Sequence, residues 1–263
     1  MMKRNKKISI LGSGWLGFPL AQLLISNGDL VKVSSTSKNR LSELSPLNAQ
    51  KFIVNIDLEF EDIQNFLNAE ILIINIPSKN IEGFKNLLNE VEKSEVEKII
   101  FVSSTSVYED TNKTIYESDE LESQLHPLIQ IENLFGKSVK VSTTILRFGG
   151  LIGYTRHPGK FFAGGRTIAN PDSAVNLIHR DDCIEIINQV IKQEVWNEIF
   201  NCCADTHPTK REFYNQASKS IGLPEPKFNN SRTTSFKIIS NSKVKDKLNY
   251  KFIHPDLMKI YSK

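Results

Sequence analysis

Cysteine is scarce. The 263 residues hold three, at positions 183, 202 and 203, with no CxxC pair and no metal-ligand spacing. A small odd set of this kind excludes a disulfide framework and reads as buried thiols. Long apolar runs are missing as well. The basic start, Met1 to Lys7, leads into the short stretch Ile8 to Leu11, and glycines at 12, 14 and 17 then interrupt it. A secretory signal or a membrane span needs a longer unbroken stretch, so the chain reads as cytoplasmic. It also lacks a dominant charge, since 33 basic residues against 30 acidic ones leave a net +3. That balance builds no strong field, so neither nucleic acid nor an anionic membrane is expected as a partner. The expected partner is a small-molecule substrate, and the expected assembly is a monomer or homodimer.

What is present is an alternation. Strand-like apolar runs at Lys7–Leu11, Leu30–Ser34, Lys51–Asn55, Ile71–Ile76, Lys98–Ser103, Lys140–Arg147 and Ile199–Cys203 are separated by amphipathic stretches. Helices are read at Leu16–Asn27, Ile81–Glu92, Leu128–Phe135, Asp181–Lys192 and Thr209–Ile221. The last carries a capping box, Thr209 with Glu212, and stops at Gly222 before Pro224. Repeated βαβ units predict an α/β fold, a Rossmann-type doubly wound parallel sheet with a small C-terminal substrate-binding lobe. Residues 1–150 form the dinucleotide-binding half of this reading. Residues 151–263, opening on a stretch rich in glycine and proline, form the smaller substrate half, with the strand at 199–203 returning to the main sheet.

Gly12-Ser13-Gly14-Trp15-Leu16-Gly17 follows the first strand and opens the first helix. In that context Gly12 allows the tight turn, Gly14 lets the backbone approach a pyrophosphate, and Gly17 lets helix and strand pack closely. Free N–H groups of the helix start then face the phosphates. An acidic residue after the second strand would mark NAD, and none is there. Instead Ser35, Thr36, Lys38 and Arg40 offer hydroxyls and cations suited to a 2′-phosphate, which favours NADP while leaving NAD possible. Asp57 after the third strand either meets the adenine edge or caps the next helix. Asn75, Ile76 and Pro77 close the fourth strand beside the expected cofactor crevice.

The chain resembles the short-chain dehydrogenase/reductase superfamily, in its extended branch of epimerases and dehydratases. The residues carrying the likeness are the glycine motif, Phe101-Val102-Ser103-Ser104-Thr105-Ser106-Val107-Tyr108, Ile145 to Gly153, Asn176 to Asp182, and Pro208 to Tyr214. The resemblance implies cofactor contact at Ser103 and a substrate-polarising hydroxyl at Ser104 or Thr105. It also implies a Tyr and a Lys four residues apart on the following helix. Aligned on Glu132, those positions hold Gln124 and Leu128, and no tyrosine of the chain has lysine four residues on. Losing that lysine removes the charge that activates a phenol of pKa near 10.

Tyr108, at the hydroxyl-rich strand end, is the substitute candidate for proton transfer. Arg147, Gly149, Arg156, His157 and Asn176 are candidates for the substrate side. His179 near Asp181 and Asp182 has metal-ligating residue types, but Asp181 reads more simply as a helix cap and no metal is expected. The leading reading is an NADP-favouring oxidoreductase or epimerase-like protein acting on a small polar substrate. The alternative is a non-catalytic NADP-binding sensor or regulator. A nucleotide-sugar epimerase is disfavoured because the second half is short.

Overall fold

The computed structural model describes residues 5–229 and 235–262, so Met1 to Arg4 of the basic start lie outside the described residues. Strand and helix alternate through β1 (Lys7–Leu11), α1 (Gly17–Ser26), β2 (Leu30–Ser35), α2 (Lys38–Ser42), β3 (Gln50–Ile53), α3 (Ile63–Leu67), β4 (Ile71–Ile74), α4 (Ile81–Val91) and β5 (Lys98–Ser104). Then come β6 (Thr114–Ile115), α5 (Pro127–Gly136), β7 (Ser142–Phe148), β8 (Gly150–Ile152), β9 (Leu177–His179), α6 (Arg180–Gln193), β10 (Ile199–Cys202), α7 (Lys210–Ser220), β11 (Ile238–Ile239), α8 (Ser242–Leu248) and α9 (Leu257–Ile260). Seven strands form one sheet in the order β10-β7-β5-β4-β1-β2-β3. β1 runs parallel to both β2 and β4, β2 parallel to β3, and β4 parallel to β5. This is the Rossmann-type α/β sheet expected from the alternation.

Local chemistry explains where the helices start and stop. In α1, Leu20, Ala21 and Leu24 are buried, and Gly28, at φ +92°, ends the helix in a conformation glycine adopts without strain. Asn80 caps α4 by accepting the Gly83 N–H, and Phe84, Leu87 and Val91 form its buried stripe. The predicted capping box on α7 is formed, Thr209 receiving the Glu212 N–H and Glu212 receiving that of Thr209. α2, α3, α8 and α9 went unread in the sequence, as did β6, β8, β9 and β11. Each is too short to display a period.

The chain divides into two compact units: Met1–Ser103 with Gln124–Leu146 and Ile187–Ile199, and Ser104–Ser123 with Arg147–Ile186 and Phe200–Lys263. The first has its own core, centred on Phe66, Leu72, Ile74, Leu87 and Ile99. Within it the rings of Phe84, Phe101 and Phe135 sit with centroids 5.9, 6.1 and 5.8 Å apart. Truncating one such buried ring to alanine costs roughly 3–5 kcal/mol. The second unit packs Ile152, Val175, Leu177, Ala204, Phe213 and Leu257 together. Cys183, Cys202 and Cys203 are buried free thiols, as the sequence suggested. No helix among the described residues is long and apolar enough to cross a membrane.

Candidate functional site

In the first unit, β1 connects to β2 on one side while the chain returns to β4 on the other, so the strand order reverses between β1 and β4. Open α/β sheets bind ligands at such a switch point, outside the carboxyl ends of the strands. The glycine turn stands there. Gly12 has φ +97°, and a Cβ on it would meet the Asn75 carbonyl oxygen at 2.3 Å. A Cβ on Gly17 would meet the Gly12 carbonyl oxygen at 2.2 Å. Both glycines are therefore demanded by packing. Gly14 differs: it is exposed, and nothing lies within 4 Å of the place its Cβ would occupy. Beside it the Ser13 hydroxyl is buried without a hydrogen-bond partner among the described residues. Leu16 occupies the N-cap of α1 with no side-chain cap, and the first turn carries no acidic residue. An open backbone, an unused hydroxyl and an uncapped helix start fit the pyrophosphate of a dinucleotide.

Neighbouring strand ends hold the turn. The Ser34 hydroxyl accepts the Gly12 N–H at 3.2 Å and donates to the Ile10 carbonyl at 3.3 Å, while the Ser13 N–H donates to the Ser34 carbonyl. The Asn75 amide donates to the Gly12 carbonyl at 3.1 Å. Asn75 thus shapes the turn, and Ile76 packs against Gly12 while Pro77 is exposed. Ser35 ends β2 half-buried, with Thr36, Lys38 and Arg40 exposed beyond it. Ser37 caps α2 by accepting the Arg40 N–H. Trp15 is half-buried, whereas Leu16 is 2% exposed.

Asp57 is exposed in a turn, and its carboxylate accepts the Asn80 amide at 2.7 Å. The helix-cap alternative for Asp57 is corrected, because α3 begins at Ile63 behind Asp62. Ser103, 6% exposed, donates to the buried carboxylate of Glu132. A groove of about 1080 Å³ also opens in this unit, lined by Lys7, Leu30 and Gln50. Those residues begin β1, β2 and β3, so the groove lies at the amino edge of the strands, opposite the glycine turn.

Position 124 falls in a turn ahead of α5, which starts at Pro127 behind the His126 cap. Gln124 is therefore not on a helix at all. In the second unit, Ser104 caps the single 3₁₀ turn Thr105–Val107 by accepting the Ser106 N–H. Thr105 is buried, and its carbonyl accepts the Tyr108 N–H. Tyr108 is 2% exposed. Its hydroxyl donates to Asn201 at 3.0 Å and receives Arg147, which also pairs with Glu122. Burial pushes the Tyr108 phenol up to about 12, outweighing the neighbouring guanidinium. A phenol so enclosed is a poor proton donor at neutral pH, and this geometry gives Tyr108 a packing role.

The substrate-side candidates are engaged likewise. Arg147 is buried in its pair with Glu122. Gly149 is packed, since a Cβ there would meet the Asn176 carbonyl at 2.7 Å and the Cys203 sulfur at 2.9 Å. Asn176 spends both ends of its amide on the backbone, at Lys237 just before β11 and at Ile239 within it. His157 caps the turn at Pro158–Lys160 and sets its ring 4.5 Å from that of Tyr261; burial and Lys160 lower its pKa. Arg156 is exposed. Sequence reasoning passed over Glu117, a half-buried carboxylate that accepts the Asn201 N–H at 2.6 Å and whose pKa burial raises. A single Glu in a polar stretch gives no pattern to find it by.

The second unit also brings together His179, Asp181 and His254. Burial, with His254 beside it, lowers the His179 imidazole to about 4. Asp181 lies inside the first turn of α6, so its reading as a cap is corrected.

No protein-family model matches the sequence. The chain is 32% identical over 277 residues to Protein YeeZ of Escherichia coli strain K12, with 95% of this chain and 97% of the relative covered. It superposes on UDP-N-acetylglucosamine 4-epimerase from Bacillus cereus with a TM-score of 0.77, at 17% identity over 97% of this chain and 93% of that one. A short-chain dehydrogenase/reductase superfamily protein from Agrobacterium tumefaciens, solved with bound NAD, gives 0.75 at 16% identity over 97% and 95%. At these identities the solved structures speak to the fold alone.

Proposed function

The chain belongs to the family of the Escherichia coli protein YeeZ and has the extended short-chain dehydrogenase/reductase fold, and on that premise we propose that it binds a nicotinamide dinucleotide, NADP in preference to NAD, at the turn from Gly12 to Gly17. The observation that carries the proposal is the open face of Gly14 beside the unused Ser13 hydroxyl, above an uncapped helix at the sheet's switch point. Preference for NADP rests on Lys38 and Arg40 beyond β2, where no carboxylate stands to hold a free ribose 2′-hydroxyl.

The proposed activity is that of an oxidoreductase or epimerase-like enzyme on a small polar substrate. The cofactor would supply hydride transfer at its nicotinamide. Ser104 and Thr105, at the carboxyl end of β5, would polarise the reacting oxygen. We place the protein in the cytoplasm, where three buried, unlinked thiols suit a reducing environment.

Three observations favour a second reading, a dinucleotide-binding regulator without turnover. Gln124 sits in a turn, Leu128 takes the place of the activating lysine, and Tyr108 is enclosed. Calorimetric titration with NADPH and NADH tests the binding step: tighter NADPH is expected, and a preference for NADH would remove the role given to Lys38 and Arg40. NADPH oxidation against a panel of small carbonyl compounds then separates the readings, with turnover supporting the enzyme and binding alone the regulator.

A further inference from the structure

Asp182 is fully buried, and its carboxylate accepts the Tyr250 hydroxyl at 2.7 Å and the N–H groups of Ile253 at 2.6 Å and His254 at 3.1 Å. These bonds fix the backbone at 253–254 against the start of α6 and so deliver the His254 imidazole to Asp181. His179, the last residue of β9, brings its ring centroid within 3.9 Å of that of His254. Gly153 makes room for it: its φ is +114°, and a Cβ there would stand 2.4 Å from His179 Nε2. Asp181 Oδ2 then lies 3.3 Å from His179 Nδ1 and 3.3 Å from His254 Nε2, while Oδ1 accepts the Tyr154 hydroxyl at 2.9 Å.

We propose that His179 Nδ1, Asp181 Oδ2 and His254 Nε2 bind a divalent transition-metal ion of the zinc class. Bonds of about 2.0–2.2 Å in a tetrahedral site set ligand atoms about 3.3–3.6 Å apart, and both nitrogen–oxygen separations match that edge. All three donor atoms lie within 4.8 Å of one another, so a small ring movement closes the third edge. Two imidazoles and a carboxylate are a donor set suited to zinc and its neighbours. The Tyr154 hydroxyl holds the outer carboxylate oxygen and turns the inner one towards the imidazoles, as outer partners of metal ligands do. The side chains of Asp181 and His254 are 31% and 29% exposed, which leaves water access to a fourth position.

Two features oppose the ion. The Asp181 N–H donates to His179 Nδ1 at 3.3 Å, a long bond that the metal would replace, releasing an N–H in the first turn of α6 to solvent. The Arg180 guanidinium is stacked on the Tyr154 ring, 3.8 Å from its centroid, and its charge weakens cation binding. Sequence reading gave Asp181 to a helix cap and left out His254, which lies 73 residues beyond it.

The full chain, stripped with a chelator, is titrated with Zn²⁺ by calorimetry and with Co²⁺ by visible absorption. Binding of one ion per chain is expected, with the intense visible bands of low-coordinate cobalt. Asp181→Asn and His254→Gln should each weaken Zn²⁺ binding by at least about tenfold, the scale on which even loss of an orienting partner acts. His126→Asn, outside the cluster and still able to cap α5, should bind as the parent does. Circular dichroism checks that each variant is folded. If one fails to fold, the other and the parent cobalt spectrum decide the matter. Absence of stoichiometric binding by the parent overturns the proposal, as does unchanged affinity in both folded variants.

Discussion

The side-chain amide of Asn75 donates to the carbonyl oxygen of Gly12 at 3.1 Å, joining the end of β4 to the turn that leaves β1. The turn's shape is thus fixed by its neighbour strand as well as by the conformational freedom of glycine. Asn75→Leu removes the donor and leaves the Gly12 carbonyl without this partner, which costs about 1–3 kcal/mol. A lowered melting temperature is expected, together with weaker NADPH binding; an unchanged melting temperature would show that the bond contributes little.

Gly12 and Gly14 should respond differently to the same substitution. Gly12→Ala puts a Cβ 2.3 Å from the Asn75 carbonyl oxygen at φ +97°, so the protein should lose stability heavily or fail to accumulate. Gly14→Ala meets nothing within 4 Å. Its melting temperature should stay near that of the parent, while NADPH affinity falls at least about tenfold because the Cβ occupies the approach to the pyrophosphate. A Gly14→Ala protein that binds NADPH normally would place the dinucleotide elsewhere.

Lys38 and Arg40 are exposed, so the proposed pairing with a 2′-phosphate would be screened by solvent. Lys38→Ala and Arg40→Ala should each weaken NADPH binding by about tenfold and leave NADH within experimental error. Equal losses for the two cofactors would mean that these cations serve the shared part of the molecule.

Tyr108 sets an alkaline dependence of stability. An unfolded tyrosine gives up its proton near its ordinary 10.0, and the folded one only near 12. Between those values the folded state holds the extra proton, so stability falls as pH rises. About two pH units correspond to roughly 2–3 kcal/mol. Tyr108→Phe should be less stable than the parent at pH 8, because Asn201 and Arg147 lose their common partner, and the difference should narrow towards pH 12. Denaturant unfolding at both pH values measures this, and a constant gap would disprove the coupling.

The sheet was legible because its signal is repeated. All seven of its strands were readable as apolar runs, from Lys7 through Ile199, with ends displaced by at most two residues. Gly12 and Gly17 were legible too, since their type follows from a backbone requirement that only the absence of a side chain meets. Partnerships between distant polar residues were not. Tyr108, Arg147 and Asn176 have the composition of a substrate site, yet their polar atoms are consumed by Asn201, Glu122 and the backbone of Lys237 and Ile239, from 25 to 93 residues away. A residue's type tells what it can bond to, while the fold decides which bond it makes. Asp181 shows the same limit: its place before an amphipathic stretch suggested a cap, and only the arrival of His254 gave it another neighbour.

The buried Asp182 imposes an order on biosynthesis. Among the described residues the donors to its carboxylate are Tyr250, Ile253 and His254, 68 to 72 residues later in the chain. While a ribosome is still adding the intervening residues, this carboxylate has none of those donors, and burying it then would cost several kcal/mol. The first unit's glycine turn and its β1–β5 framework can form early, as domains do in vectorial synthesis. The second unit is expected to fold only after its last segment is made. A nascent chain stalled before residue 250 should therefore leave the start of α6 open to proteases and chaperones, even with the strands of the first unit already paired.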